Sequence, residues 1–160
     1  MEIHPETPQE GTLMTSRFRA EDIERMMGHL RTMGAPFGIV FADRPFLSNS
    51  RMALLAAEFA REQGDFRVFH EAVLGAYFSQ GLDIGDLDIL RQLAEDAGLD
   101  ADAMAKAIKS GKHLLMLEKA KEDAARLGVT GVPTFFIDGN KFVGAQPLDV
   151  FRKALRSVKD

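Results

Sequence analysis

The chain has 160 residues, 28% of them charged, a net charge of −4 and no cysteine. Without cysteine it forms no disulfide, no thiolate metal site and no cysteine nucleophile of its own. Lysine and arginine are scattered rather than gathered on one face, which argues against nucleic acid, and no apolar run reaches the roughly 18 residues of a membrane span.

The length fits one domain, and at this size a core needs no disulfide or metal staple. The lack of cysteine suits a cytoplasmic protein. The start, Met1-Glu2-Ile3-His4-Pro5, has neither the basic residues nor the apolar run of a signal peptide.

Met1–Ile3 reads as a short strand, limited by Pro5 and Pro8. Ile23, Met26, Met27, Leu30 and Met33 share one side of a helix predicted over Phe18 to Met33, with Gly34 as its stop. The stretch from Pro36 to Phe41 reads as a strand by residue type and as an extended loop by its proline and glycine; both stay open. Asp43-Arg44-Pro45 is a turn or loop. Asn49 or Ser50 caps the next helix, which runs to Gln63 and stops at Gly64; its apolar face is Met52, Leu55, Ala56 and Phe59. Asp65 caps a helix carrying Phe66, Phe69, Val73, Leu74 and Tyr77 and ending at Gly81. Asp86 caps one carrying Ile89, Leu90 and Leu93 and ending at Gly98. Asp100 or Ala101 begins a short helix with Met104, Ala107 and Ile108, ending at Gly111. Lys112 to Leu127 is a further helix, with Leu114, Leu117, Ala120, Ala124 and Leu127.

The stretch after Gly128 changes character. Pro133 stands at the first position of a strand, one of the few places where a sheet tolerates proline. An X–Pro bond costs only about 0.5–1 kcal/mol to hold cis, so a cis Val132–Pro133 bond is accessible. Thr134 to Ile137 reads as a strand, Gly139-Asn140 as a type I′ two-residue turn, and a second strand follows. Thr134 and Phe136 then fall on one face and Phe135 and Ile137 on the other. Both faces are nearly apolar, which predicts cover on both sides. A final helix runs from Pro147 to Val158, with proline in its first turn.

Other chemistry-bearing residues carry little. His4, His29, His70 and His113 show no metal spacing with a carboxylate and read as surface or helix-edge histidines. Asp83, Asp86 and Asp88 lack the spacing of a calcium loop and read as helix caps. Met26, Met27 and Met33 read as packing residues, with an adaptable binding surface as the alternative. Ser48, Ser50 and Ser79 have no legible histidine and aspartate partners.

The segment Gly128-Val129-Thr130-Gly131-Val132-Pro133-Thr134-Phe135-Phe136-Ile137-Asp138-Gly139, with Val143-Gly144-Ala145-Gln146-Pro147, resembles the C-terminal half of DsbA-like thioredoxin-fold oxidoreductases. The resemblance is to the FrnE-like branch, related to 2-hydroxychromene-2-carboxylate isomerases and kappa-class glutathione transferases. Asn49-Ser50-Arg51, Ala57-Glu58-Phe59-Ala60, Phe69-His70-Glu71-Ala72, Ala76-Tyr77-Phe78, Asp83-Ile84-Gly85-Asp86 and Ala97-Gly98-Leu99-Asp100 extend it along nearly the whole chain. Family members begin with a strand and a helix whose N-terminus carries Cys-x-x-Cys, or a serine in the isomerase and transferase branches. This chain starts at what looks like the family's second strand, so only the cis-proline half of the active site carries over.

The resemblance therefore implies an incomplete α/β thioredoxin-like fold: one domain over 1–160, mostly helical over 12–127, with the cis-Pro loop, hairpin and last helix over 128–160. It implies no catalytic residue and no metal site here. Thr130, Gly131, Val132 and Pro133 are the expected substrate-binding residues, either as a backbone clamp for a peptide or thiol compound or as a loop serving only the fold. A missing strand leaves a bare sheet edge and uncovered apolar surface, which predicts a homodimer burying the hairpin. Three functions stay open: a binding module without a redox centre, alone or completed by another chain; a glutathione-using isomerase or transferase, with glutathione as cofactor; and a truncated product of a Cys-x-x-Cys oxidoreductase.

Overall fold

The computed structural model describes residues 4–43 and 46–158. The predicted strand at Met1–Ile3 and the Arg44-Pro45 part of the predicted turn lie outside the described residues. The chain divides into two compact units, Met1–Glu118 and Lys119–Asp160.

The first unit opens with a short antiparallel pair that the sequence reading missed: β1 (Thr12–Leu13) on β2 (Phe46–Leu47), with Thr12 opposite Leu47 and Leu13 opposite Phe46. Two-residue strands are too short to show an alternating pattern. Gly11 stands before β1 at φ 71, where an added Cβ would run into the Phe46 ring. Glycine is required there by both conformation and space.

The first helix, α1 (Ala20–Gly34), starts two residues later than predicted and does not stop at Gly34. Gly34 is helical, and the chain continues into a 3₁₀ turn, Ala35–Phe37, that ends at Gly38 with φ 70. Gly34 is small for another reason: a Cβ there would sit 2.8 Å from the Phe41 ring. The stretch around Pro36 is thus a tight turn, not a strand.

Four helices build the core: α2 (Arg51–Gln63), α3 (Phe66–Leu74), α4 (Leu87–Asp96) and α5 (Ala101–Lys109). Leu55, Phe59, Phe69, Leu90, Met104 and Ile108 form its buried centre, and Phe69, Leu90 and Met104 are fully enclosed. The caps vary. Asp86 accepts from the Asp88 backbone N–H and Asp100 from that of Ala103, as expected of N-cap aspartates. Asp65 precedes α3 without making a cap bond. At α2 the position is taken by Ser50, but the bond is made by Asn49, whose Oδ1 accepts from the Arg51 N–H at 3.0 Å.

The helix expected from Asp65 to Gly81 changes type at Gly75. Residues Gly75–Ser79 form a π-turn, with the Gln80 N–H donating to the Gly75 carbonyl at 3.1 Å. The wider turn places Tyr77 and Phe78 ring against ring, 4.9 Å apart.

α6 (Leu114–Arg126) begins in the first unit and ends in the second. The second unit continues with β3 (Thr134–Ile137), β4 (Asn140–Val143) and α7 (Leu148–Ser157). Ile137 pairs with Asn140, so the two turn residues are Asp138 and Gly139, one position earlier than predicted. Their φ angles of 46 and 75 are both positive, as a type I′ turn requires, and Asp-Gly suits it as well as Gly-Asn. Asn140 is drawn into β4. Pro147 sits at the N-cap of α7, not inside its first turn. Phe151 of α7 covers one face of the hairpin through Phe135 and Phe142. Both faces stay partly exposed: Phe135, on the face that Phe151 contacts, is 41% exposed, and on the other face Phe136 is 44% and Val143 46% exposed. Cover on both sides is not found, and no described residue of α6, β3, β4 or α7 is buried.

Candidate functional site

The loop from Thr130 to Pro133 lies within the second unit and is held at both ends. At its start α6 closes in a Schellman arrangement. Gly128 takes φ 63, its N–H donates to the Ala125 carbonyl at 3.0 Å, and the Val129 N–H donates to that of Ala124 at 2.8 Å. In the last turn Arg126 Nη2 donates to Asp123 Oδ1 at 2.8 Å, and that bond holds the Asp123 carboxyl below its ordinary range. Lys141 of β4 reaches back and donates to the Gly128 carbonyl at 3.0 Å. At the loop's far end the Gly144 N–H donates to the Pro133 carbonyl at 2.8 Å, and Thr134 Oγ1 donates to the Gly131 carbonyl at 2.6 Å.

Between these anchors the Val132–Pro133 peptide is cis. Val132 is 58% exposed, and its N–H and C=O make no hydrogen bond among the described residues. The Thr130 backbone is likewise unbonded among them. A tethered segment whose backbone donors and acceptors are unpaired among the described residues can pair with the backbone of an extended ligand, as strand addition does. Thr130, Gly131, Val132 and Pro133 carry no ionisable side chain, so the segment can bind and orient but cannot itself move a proton.

All four expected loop residues are thus contiguous and accessible. Lys141 and Gly144, which tether the loop, were not legible as site residues. Gly144 lies in the segment that carries the family resemblance, but its partner is set by the hairpin register. Lys141 looks like any strand lysine until the fold brings Gly128 beside it.

Elsewhere in the chain, other candidates resolve into structure. His113 is buried rather than superficial, with Nε2 3.5 Å from a Glu62 oxygen. Glu62 also accepts from Lys112 Nζ at 2.8 Å, the main cause of its lowered pKa. Asp83 closes a turn on the Gly85 N–H and Asp86 caps α4. No cluster of three potential metal ligands occurs among the described residues.

Residues 1–156 match the sequence model of the DSBA-like thioredoxin domain.

The chain belongs to the DSBA-like thioredoxin domain family.

A crystal structure of a probable DsbA oxidoreductase from Streptomyces coelicolor superposes with a TM-score of 0.84 over 97% of this chain and 71% of that one, at 24% identity. At that identity the likeness establishes the DsbA-like thioredoxin fold, here with its large helical part. Two curated relatives are similar over shorter stretches. The uncharacterized protein YwbO of Bacillus subtilis (strain 168) is 33% identical over 105 residues, 65% of this chain and 52% of that protein. A 2-hydroxychromene-2-carboxylate isomerase of Sphingobium xenophagum is 36% identical over 100 residues, 62% of this chain and 51% of that enzyme. The chain spans about half the length of the curated relatives it matches. This DsbA-like domain thus has relatives named both as oxidoreductase and as isomerase. No described helix is long and apolar enough to cross a membrane.

Proposed function

We propose that this DsbA-like domain is a binding module that takes an extended peptide or a small thiol compound against the backbone of Thr130, Gly131 and Val132. The carrying observation is the tethered loop whose Val132 N–H and C=O have no partner among the described residues. Redox chemistry at the loop needs sulfur from elsewhere, because a thiolate is the attacking species and the chain has no cysteine. The module acts by presenting its ligand, alone or completed by another chain. Calorimetric titration with reduced glutathione and with a thiol-free extended tripeptide tests this. Saturable binding of either supports it, and heats of dilution alone for both remove it.

A second reading is favoured by the isomerase relative: the loop binds glutathione as part of an isomerase or transferase whose reacting group lies outside these 160 residues. It requires glutathione to bind at least as tightly as the thiol-free tripeptide, so a tripeptide that binds more tightly in the same titration removes it.

This reading includes a cytoplasmic location, supported by the lack of cysteine. It also includes a homodimer formed on the open hairpin face, supported by the exposure of Phe136 and Val143 and by the poor stability of a lone two-stranded hairpin. Sedimentation equilibrium reads this directly; a monomer at high micromolar concentration removes the dimer.

A further inference from the structure

The first unit contains a second feature that the loop does not use. A cavity of about 170 Å³ lies between α1, the π-turn and the segment leading into β2. Its lining is apolar. Met26, Met27 and Leu30 come from α1, Tyr77 and Phe78 from the π-turn, and Phe41 from between them in sequence. Among the described lining residues Tyr77 alone is titratable, and its hydroxyl already donates to the Phe46 carbonyl at 3.1 Å. Among the described residues no charged side chain lines the space.

Five observations fit a ligand better than a packing defect. The size is close to that of an apolar cavity of about 150 Å³ that stays dry and takes up benzene. Phe78 meets Phe41 at 81° and Tyr77 at 73°, so ring edges and faces are both presented to the space. Three of the wall residues, Met14, Met26 and Met27, are methionines, which adapt to an inserted ring. Phe78 and Met26 are 43% and 42% exposed, so the cavity has a mouth. The π-turn that carries Tyr77 and Phe78 into the lining is a form frequently found at functional sites.

We propose that this cavity binds a small neutral aromatic molecule of one or two rings. The lack of any lining charge excludes carboxylated or phosphorylated ligands from its interior. The site is independent of the Val132–Pro133 loop.

The chain has one tyrosine and no tryptophan, so tyrosine emission reports on this cavity alone. The probe is toluene, with benzoate as the charged comparison. Binding is followed by Tyr77 fluorescence and by the methyl resonances of methionine in labelled protein. The expected result is saturable change at Tyr77, Met26 and Met27 with toluene and none with benzoate. Leu30→Phe, which fills the space, abolishes the toluene response; if that variant does not fold, Ala42→Leu at the cavity wall serves the same purpose. A linear, unsaturable response to toluene, an equal response to benzoate, or toluene binding retained in a folded filled variant would overturn the proposal.

Discussion

Phe135 and Phe151 meet edge to face, with ring centroids 4.8 Å apart and planes at 67°. This contact joins β3 to α7 and places an aromatic clasp two residues beyond Pro133. No described residue of β3, β4 or α7 is buried, so the clasp and the Phe142–Phe151 contact supply much of what packing that region has. Removing the shared ring tests this. Full burial makes a Phe→Ala change cost about 3–5 kcal/mol, and half-burial reduces it, so Phe151→Ala is expected to cost about 2 kcal/mol. Amide hydrogen exchange checks it: protection falls in β3 and β4 and is unchanged in α2 and α5.

The hairpin register makes a second test. Asp138 and Gly139 hold positive φ, and Asn140 is a strand residue. Gly139→Ala has open space around its Cβ, so its penalty is conformational, about 1–2 kcal/mol. Asn140→Val is expected to be neutral or slightly stabilising, because β-branched residues suit a strand. Thermal melts of the two variants read the difference. A turn centred on Gly139 and Asn140 would reverse the order at position 140.

Gly34→Ala gives a third. Alanine is the better helix former by about 1 kcal/mol, which predicts stabilisation if only the helix matters. The added methyl would meet the Phe41 ring at 2.8 Å and Ile39 Cβ at 3.2 Å. The expected outcome in urea unfolding is net destabilisation, since overpacking costs about 1–3 kcal/mol. Phe41→Ala introduced alongside it restores part of the loss.

Tyr77 gives a pH prediction. Burial is the main cause that raises its pKa above the ordinary 10.0. The folded chain then holds the phenolic proton more tightly than the unfolded one. This contribution to stability is complete below the unfolded value and is lost as pH rises through the folded one. Stability should therefore decline above pH 10.0 in the native protein, and this component should vanish in Tyr77→Phe. Phenolate absorbance gives the folded pKa directly, because Tyr77 is the one tyrosine.

Much of this was legible in the residues, for identifiable reasons. Phe59, Leu90 and Met104 recur at helical spacing, and the glycine stops after α2 and α4 hold φ 91 and 77. Asp86 and Asp100 announce their helices because their caps depend on neighbours two or three positions away. What stayed hidden depends on distant partners or on a one-residue choice. Gly34 reads as a stop but is a packing glycine, a fact that resides in Phe41. The π-turn at Gly75 keeps the same apolar periodicity as an α-helix over so short a stretch. Asp138-Gly139 and Gly139-Asn140 are both good type I′ pairs, and strand pairing decides between them. The loop itself was readable through the family resemblance that residues 128–139 carry. Its tethers, Lys141 and Gly144, were not, because they reach the loop only through the folded hairpin.

The central claim is that the backbone at Val132 binds an extended ligand, and the measurement closest to it is the Val132 amide resonance in nitrogen-labelled protein titrated with reduced glutathione and with a thiol-free tripeptide. The account predicts a saturable shift confined to Thr130, Gly131, Val132 and their tether Gly144, with one ligand or both. Unchanged resonances at all four positions with both ligands, or shifts that saturate only elsewhere in the chain, would contradict it.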